Sequence, residues 1–173
     1  MPVASGFLPA NTLFWQRQAA QPVLAVYVPA RRWRVQLEGG GAAGPIHYRL
    51  PLPPLVFAGC GPAYQIWAVK RRPADEREPL YHAPCPNVHS RGAVCQGNAP
   101  FPLCSPQTIQ AALTLFMEGS LFNADLSRGK CRSYPDDVRR LWVELDGRPR
   151  FPLSELLPTR MTLTDLLRGH PTA

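Results

Sequence analysis

The sequence of 173 residues contains no long apolar run and no recognisable leader segment. Without about eighteen consecutive apolar residues, it offers no candidate for a membrane-spanning helix. The segment 1–10 lacks the basic region and the apolar stretch of a secretion signal. We therefore expect a cytoplasmic protein. The length and the 45% hydrophobic content predict one folded domain over residues 1–173.

Lysine is almost absent, since only Lys70 and Lys130 occur among 19 basic residues. With 12 acidic residues the formal net charge is +7. A GC-rich genome accounts for the preference for arginine, and a surface that resists modification on lysine is the alternative. The arginines occur in small groups without interleaved aromatic residues, which disfavours nucleic-acid binding. A basic surface that faces an acidic protein partner fits equally well.

The five cysteines form no Cys-x-x-Cys pair, and their number is odd. Together with the missing secretion signal, this argues against a disulfide framework. A zinc site built from Cys85, Cys95, Cys104 and Cys131 with a histidine remains an alternative, although the spacing is irregular. The other interpretation is a nucleophilic cysteine.

The 21 prolines and 13 glycines predict short elements. Alternating apolar residues predict strands over 22–28, 33–38 and 46–50, joined in an antiparallel meander. A further strand is predicted over 64–70. The clearest helix begins at Ser105-Pro106 and ends at Gly119, which we expect to adopt a left-handed backbone.

Three weaker patterns lie near the ends of the chain. Thr12–Ala20 is interpreted as a short helix. Leu141, Val143 and Leu145 alternate before Asp146-Gly147, which predicts a strand and a tight turn. A last helix is expected from Thr162, with Asp165 as the acid of a capping box.

The segment 80–103 has no periodicity, and a long ordered loop in a compact domain is often functional. Residues 81–95 read YHAPCPNVHSRGAVC. This segment resembles the active-site loop of ubiquitin-conjugating enzymes, which has His-Pro-Asn, a turn glycine and an aliphatic-Cys pair. Pro86-Asn87, Gly92 and Val94-Cys95 match that pattern. Cys95 follows Asn87 by eight positions, and a helix follows as in the family.

The wider sequence is similar to a bacterial branch, prokaryotic ubiquitin-conjugating family D, the B protein of the PRTRC cassettes. The resemblance covers about residues 50–157. It rests on Pro53-Pro54, Ile66-Trp67-Ala68, Leu80-Tyr81, the 84–98 segment and Phe151-Pro152. It implies an α+β fold with an antiparallel sheet of four or more strands and a crossover helix after the active-site loop.

The resemblance also implies an activity and partners. A ThiF-type activating enzyme would load a ubiquitin-like protein onto Cys95 as a thioester, and the protein would then pass to an amine. A JAB-type peptidase would belong to the same cassette. No metal or small cofactor is expected, because the activating enzyme consumes the ATP. The alternatives are a non-catalytic module of the same fold that binds a ubiquitin-like protein, and a zinc-dependent nucleic-acid-binding protein.

Three residues receive roles from this resemblance. Cys95 is the nucleophile, because a thiol forms a thioester that is reactive yet survives in water. Asn87 either donates to the oxyanion, which is worth ~3 kcal/mol for one such donor, or only holds the turn. Asp125, in the loop after the helix, either orients the incoming amine or is a solvated loop acid.

One position departs from the pattern, since Cys85 stands where the family has histidine. That histidine is regarded as holding the loop. We expect Cys85 to be a small buried residue in its place, with pairing to Cys95 or metal binding as alternatives. His82 and His89 flank the motif and are either bases or exposed loop histidines.

Overall fold

The computed structural model describes residues 6–18, 21–39 and 41–168. Its main element is a six-stranded antiparallel sheet in the order β1-β2-β5-β6-β7-β9, accompanied by a few helices. The prediction of an α+β fold with an antiparallel sheet of four or more strands is confirmed. The strands are β1 (Thr12–Gln18), β2 (Gln21–Val28), β3 (Arg31–Leu37), β4 (Ile46–Leu52), β5 (Leu55–Cys60), β6 (Ala63–Ala68), β7 (Pro79–His82), β8 (Leu121–Phe122) and β9 (Pro158–Thr162).

The predicted three-strand meander is wrong, because the chain crosses to a second sheet after β2. In that sheet β3 pairs with β4 antiparallel and with β8 in parallel, whereas β2 lies between β1 and β5. Trp33, Val35 and Leu37 are buried as their alternation predicts. Alternation shows which face of a strand is buried, but it does not identify the neighbouring strand.

The helix that follows the active-site loop is present as predicted, but it begins at Ile109 instead of Pro106 and its last turn is π-helical. It comprises α1 (Ile109–Thr114) and a π-helical continuation, Leu115–Gly119. The predicted apolar face is buried: Ile109, Ala112, Leu113, Phe116 and Met117. Gly119 does not adopt the left-handed backbone. The helix widens instead, and the Ser120 hydroxyl donates to the Leu115 carbonyl at 3.0 Å.

Two weaker predictions are corrected. Thr12–Gln18 is a strand because it pairs with β2, and Ala19 and Ala20 lie outside the described residues. The predicted strand 141–145 lies in α2 (Arg139–Leu145). There Leu141, Trp142 and Leu145 are buried while Val143 is 62% exposed, which is helical spacing.

Two predictions near the C-terminal end are confirmed. Asp146-Gly147 forms a turn with φ +72° at Gly147. The last helix is α3 (Leu163–Arg168), and the Asp165 carboxylate accepts hydrogen bonds from the Thr162 amide and hydroxyl at 2.7 and 3.0 Å.

Both sheets contribute to the largest hydrophobic cluster, which also includes α1 and α2. A smaller cluster lies beneath α3 and includes Ala25, Val56, Trp67 and Leu166. Within residues 6–18, 21–39 and 41–168, no helix has the length and apolar character needed to cross a membrane.

Candidate active site

The loop after β7 carries the predicted site and contains a narrow hairpin over residues 88–94. The His89 amide donates to the Ala93 carbonyl and the Gly92 amide to the His89 carbonyl, each at 2.8 Å. Two further hydrogen bonds join this hairpin to β6. The Ile66 amide donates to the Gly92 carbonyl, and the Val94 amide donates to the Tyr64 carbonyl. Cys95 therefore lies beside the first residues of β6.

All five cysteines fall in the described part of the chain, and Cys95 is the one with an exposed side chain. Burial raises the pKa of the Cys85 and Cys104 thiols to about 12, and it also raises the pKa of Cys60 and Cys131. These four thiols are also buried or half-buried, so the exposed sulfur among the five is that of Cys95.

Asn87 lies next to Cys95 and is held at both ends of its side chain. The Cys95 amide donates to the Asn87 carbonyl at 2.8 Å. Asn87 has φ +59°, a left-handed conformation that asparagine adopts more readily than most residues. Its Nδ2 donates to Asn123 Oδ1 at 2.9 Å, and its Oδ1 accepts the Asn123 amide at 3.0 Å.

Asp125 is joined to the same network. Its carbonyl accepts the Asn87 amide at 2.8 Å, and its carboxylate accepts Asn123 Nδ2 at 3.1 Å. The Asp125 amide in turn donates to Asn123 Oδ1 at 2.8 Å. The structure thus brings all three predicted residues together, with Asn123 as the link. Sequence reasoning missed Asn123, although Asn-x-Asp after a strand is typical of an Asx turn.

A buried cation lies under the loop. Lys130 is 3% exposed, and its Nζ donates to the Val88 carbonyl, one residue beyond Asn87. Burial lowers its pKa. Among the described residues, no carboxylate forms an ion pair with Lys130. The sequence contains no signal for this contact beyond the scarcity of lysine.

Two aromatic residues fix the remainder of the loop. The Trp142 indole nitrogen donates to the Pro84 carbonyl at 2.8 Å. Gly92, with φ +81°, lies against the Trp67 ring, and a Cβ added there would be 2.3 Å from two ring carbons. Glycine is therefore required at the hairpin turn both by backbone conformation and by packing.

The structure also describes the other three residues singled out in the sequence, Cys85, His82 and His89. Cys85 is fully buried, as expected, and both Cys85 and Cys95 are free thiols. His82 lies in β7 opposite Trp67, and the pKa of its half-buried ring is lowered by burial and by the Lys130 charge. His89 is exposed on the hairpin.

The described residues contain no group of three or more His, Cys, Asp or Glu that is arranged to hold a metal ion. Cys85, Cys95, Cys104 and Cys131 are therefore not gathered into a zinc site. This removes the structural basis for the zinc-dependent alternative.

The antiparallel sheet, the loop with an exposed cysteine after a left-handed asparagine, and the helix that follows are consistent with an E2-like protein, that is, one similar to ubiquitin-conjugating enzymes. The chain belongs to prokaryotic E2 family D, whose model matches residues 2–159. The resemblance seen in the loop motif is thereby confirmed. Comparisons with curated proteins and with solved structures give no match.

Proposed function

We propose that this protein carries a ubiquitin-like protein as a thioester on Cys95 and transfers it to an amine. The observation that supports this most directly is the position of the Cys95 sulfur. It is the one exposed thiol of five, and the backbone beside it is bonded to Asn87 in an E2-like loop. A carrier thiol must be reachable by two large partners, whereas three of the other four thiols are buried and Cys60 is half-buried.

Charging and transfer are two acyl exchanges. First, the Cys95 thiolate attacks the activated C-terminal carbonyl of the modifier; a C–S bond forms and the bond to the activating enzyme's leaving group breaks. Second, an amine nitrogen attacks the thioester; a C–N bond forms, the C–S bond breaks, and Cys95 departs as a thiolate. The amine gives its proton to water or to a nearby carboxylate.

In this proposal the Asn87 side chain holds the loop and also donates a hydrogen bond to the oxyanion. The contacts of its Oδ1 and of one Nδ2 hydrogen with Asn123 favour the holding role. The second Nδ2 hydrogen has no protein acceptor in the described part of the chain, so it is available to the oxyanion of the tetrahedral intermediate. Asp125 is exposed, and its carboxylate orients the amine while Asn123 fixes its direction.

The acceptor amine belongs to another molecule. Lys130 is buried, and Lys70 follows β6 at the end away from Cys95. We further propose that the protein works in the cytoplasm with a ThiF-type activating enzyme and a ubiquitin-like protein. In this proposal a JAB-type peptidase belongs to the same PRTRC cassette.

The test is reconstitution with a ThiF-type activating enzyme, a ubiquitin-like protein and ATP. We expect an adduct that thiols cleave with the wild-type chain, none with Cys95→Ala, and a thiol-resistant ester with Cys95→Ser. Cys60→Ser is the matched control and should charge normally. Stable binding of the modifier by the wild type without an adduct would instead establish the non-catalytic module.

Asn87 and Asn123 can be separated by substitution. If Asn87 acts only by holding the loop, Asn87→Ala and Asn123→Ala should slow discharge of the thioester to a similar extent. If it also serves the oxyanion, as we propose, Asn87→Ala should slow discharge by about 100-fold and Asn123→Ala by much less. Single-turnover discharge to free lysine measures both.

A further inference from the structure

An open groove lies at the end of the β5–β6 hairpin that is remote from Cys95. At the Cys95 end, Gln96 Nε2 donates to the Pro62 carbonyl in the turn of this hairpin at 2.7 Å. At the other end, the Val69 amide donates to Pro54, and Lys70 follows in the groove wall. Six residues of β5 separate the two ends, which corresponds to about 20 Å.

Among the residues that the structure describes, the groove is lined by no carboxylate and by four cations: Arg31, Arg32, Lys70 and Arg150. None of them belongs to any of the ion pairs found among the described residues. Arg31 stacks on the Trp33 ring at 3.5 Å, and the Lys70 ammonium is 5.2 Å from the Tyr81 ring centre. Like charges gathered this way repel each other in the folded chain, so their placement favours an anionic ligand.

The floor of the groove is apolar rather than polar. Pro51, Pro53 and Pro54 line it with most of their surface buried, and the exposed apolar residues are Pro149 and Leu153, of which Leu153 is 39% exposed. Proline has no amide hydrogen to donate, so this floor offers contact area to apolar side chains but few hydrogen bonds. A ligand that fits both features carries carboxylates and apolar groups together.

A nucleic acid fits this groove poorly. Single strands gain affinity when bases stack on exposed aromatic rings. Phe151 lines the groove and is 9% exposed, and Trp33, against which Arg31 stacks, is 1% exposed. Tyr81, near the Lys70 ammonium, is half-buried and is not one of the residues that line the groove. The groove therefore provides cations with little aromatic surface on which a base can stack.

We propose that this groove binds an extended acidic segment of a partner protein, in which Asp or Glu residues alternate with apolar ones. The carboxylates lie against the four cations, and the apolar side chains lie on the proline floor. Because the groove is remote from Cys95, a bound partner leaves the thiol accessible. The proposal does not depend on thioester chemistry at Cys95.

The test uses a labelled peptide in which Asp and Glu are interspersed with Leu and Pro, followed by fluorescence anisotropy at physiological ionic strength. The double variant Arg32→Glu/Arg150→Glu should weaken binding at least tenfold. The control Arg77→Glu/Arg160→Glu makes the same change in net charge at two exposed arginines outside the groove. It should change binding less than twofold.

Two further arms test the ligand class. A polyglutamate peptide of equal charge should bind more weakly than the mixed peptide, because it lacks groups for the floor. A single-stranded oligonucleotide of equal charge should also bind more weakly. Absence of peptide binding, equal losses in the two double variants, or tighter binding of polyglutamate or of the oligonucleotide would overturn the proposal.

Discussion

The two ends of the β5–β6 hairpin are built on opposite principles. At the Cys95 end, groups of the loop are bonded from elsewhere in the chain: the Pro84 carbonyl by Trp142, the Asn87 side chain by Asn123 and the Val88 carbonyl by Lys130. At the groove end, the four cations form no ion pair with any described acidic residue. The first arrangement orders a backbone around a thiol, whereas the second leaves charge available to a ligand.

The largest expected change in stability comes from a substitution at the hairpin turn of the Cys95 end. Gly92→Ala places a methyl group 2.3 Å from the Trp67 ring on a backbone with φ +81°. Overpacking and the left-handed conformation together should lower the free energy of unfolding by about 3 kcal/mol. Urea denaturation measures this loss.

The matched control for that substitution is Gly97→Ala. Gly97 also has positive φ, +53°, but an added Cβ would meet nothing within 4 Å. Only the backbone term applies, so the loss should be about 1 kcal/mol. Equal losses in the two variants would show that the contact with Trp67 does not order the loop.

Sequence reasoning found the parts of the site that are contiguous in the chain. Asn87 and Cys95 are eight positions apart, and the motif that contains them is a single loop. The groups that hold the loop approach from far along the chain: Asn123, Lys130 and Trp142 lie 36, 42 and 58 positions from the loop residues that they contact. Nothing local in the sequence encodes which group of the loop such a side chain reaches.

The fold shows the same division between local and long-range information. The buried face of the helix over 109–117 could be predicted, because helical spacing is a local property. The pairing of β2 with β5 could not, because it joins residues 27 to 37 positions apart, from Val28 and Leu55 to Val23 and Cys60. The strand predicted over Leu141–Leu145 is wrong because Trp142 is buried as well. In a strand with Leu141 and Val143 on the buried face, Trp142 would lie on the opposite face.

A smaller effect is expected from Lys130, the one buried charge that holds the loop. Burial lowers its pKa in the folded chain, so between that lowered value and the ordinary 10.5 the unfolded chain binds more protons. The free energy of unfolding therefore gains a contribution that rises with pH in this window, by up to about 1.4 kcal/mol per pH unit. Lys130→Met should lack this contribution.

The measurement is urea denaturation of both proteins in steps from neutral pH to 10.5. Cys85 lies close to Lys130, and burial raises the pKa of its thiol. As the pH rises, ionisation of this thiol in the unfolded chain lowers the free energy of unfolding of the wild type and of Lys130→Met alike. The difference between the two free energies therefore reports Lys130. Lys70→Met, at the exposed lysine, is the control and should run parallel to the wild type. A constant difference between wild type and Lys130→Met across this range would contradict the assignment of a buried charge.

The smallest effect is expected at the groove end, where the charges serve a ligand rather than the fold. Arg32→Gln/Arg150→Gln removes two like charges, neither of which donates a side-chain hydrogen bond or forms an ion pair within the described residues. The free energy of unfolding should change by less than about 0.5 kcal/mol, in the stabilising direction, and the gain should shrink as salt screens the repulsion. Urea denaturation at low and high ionic strength measures it. A loss of 1 kcal/mol or more would mean that these arginines hold the fold, and the contrast between the two ends would then fail.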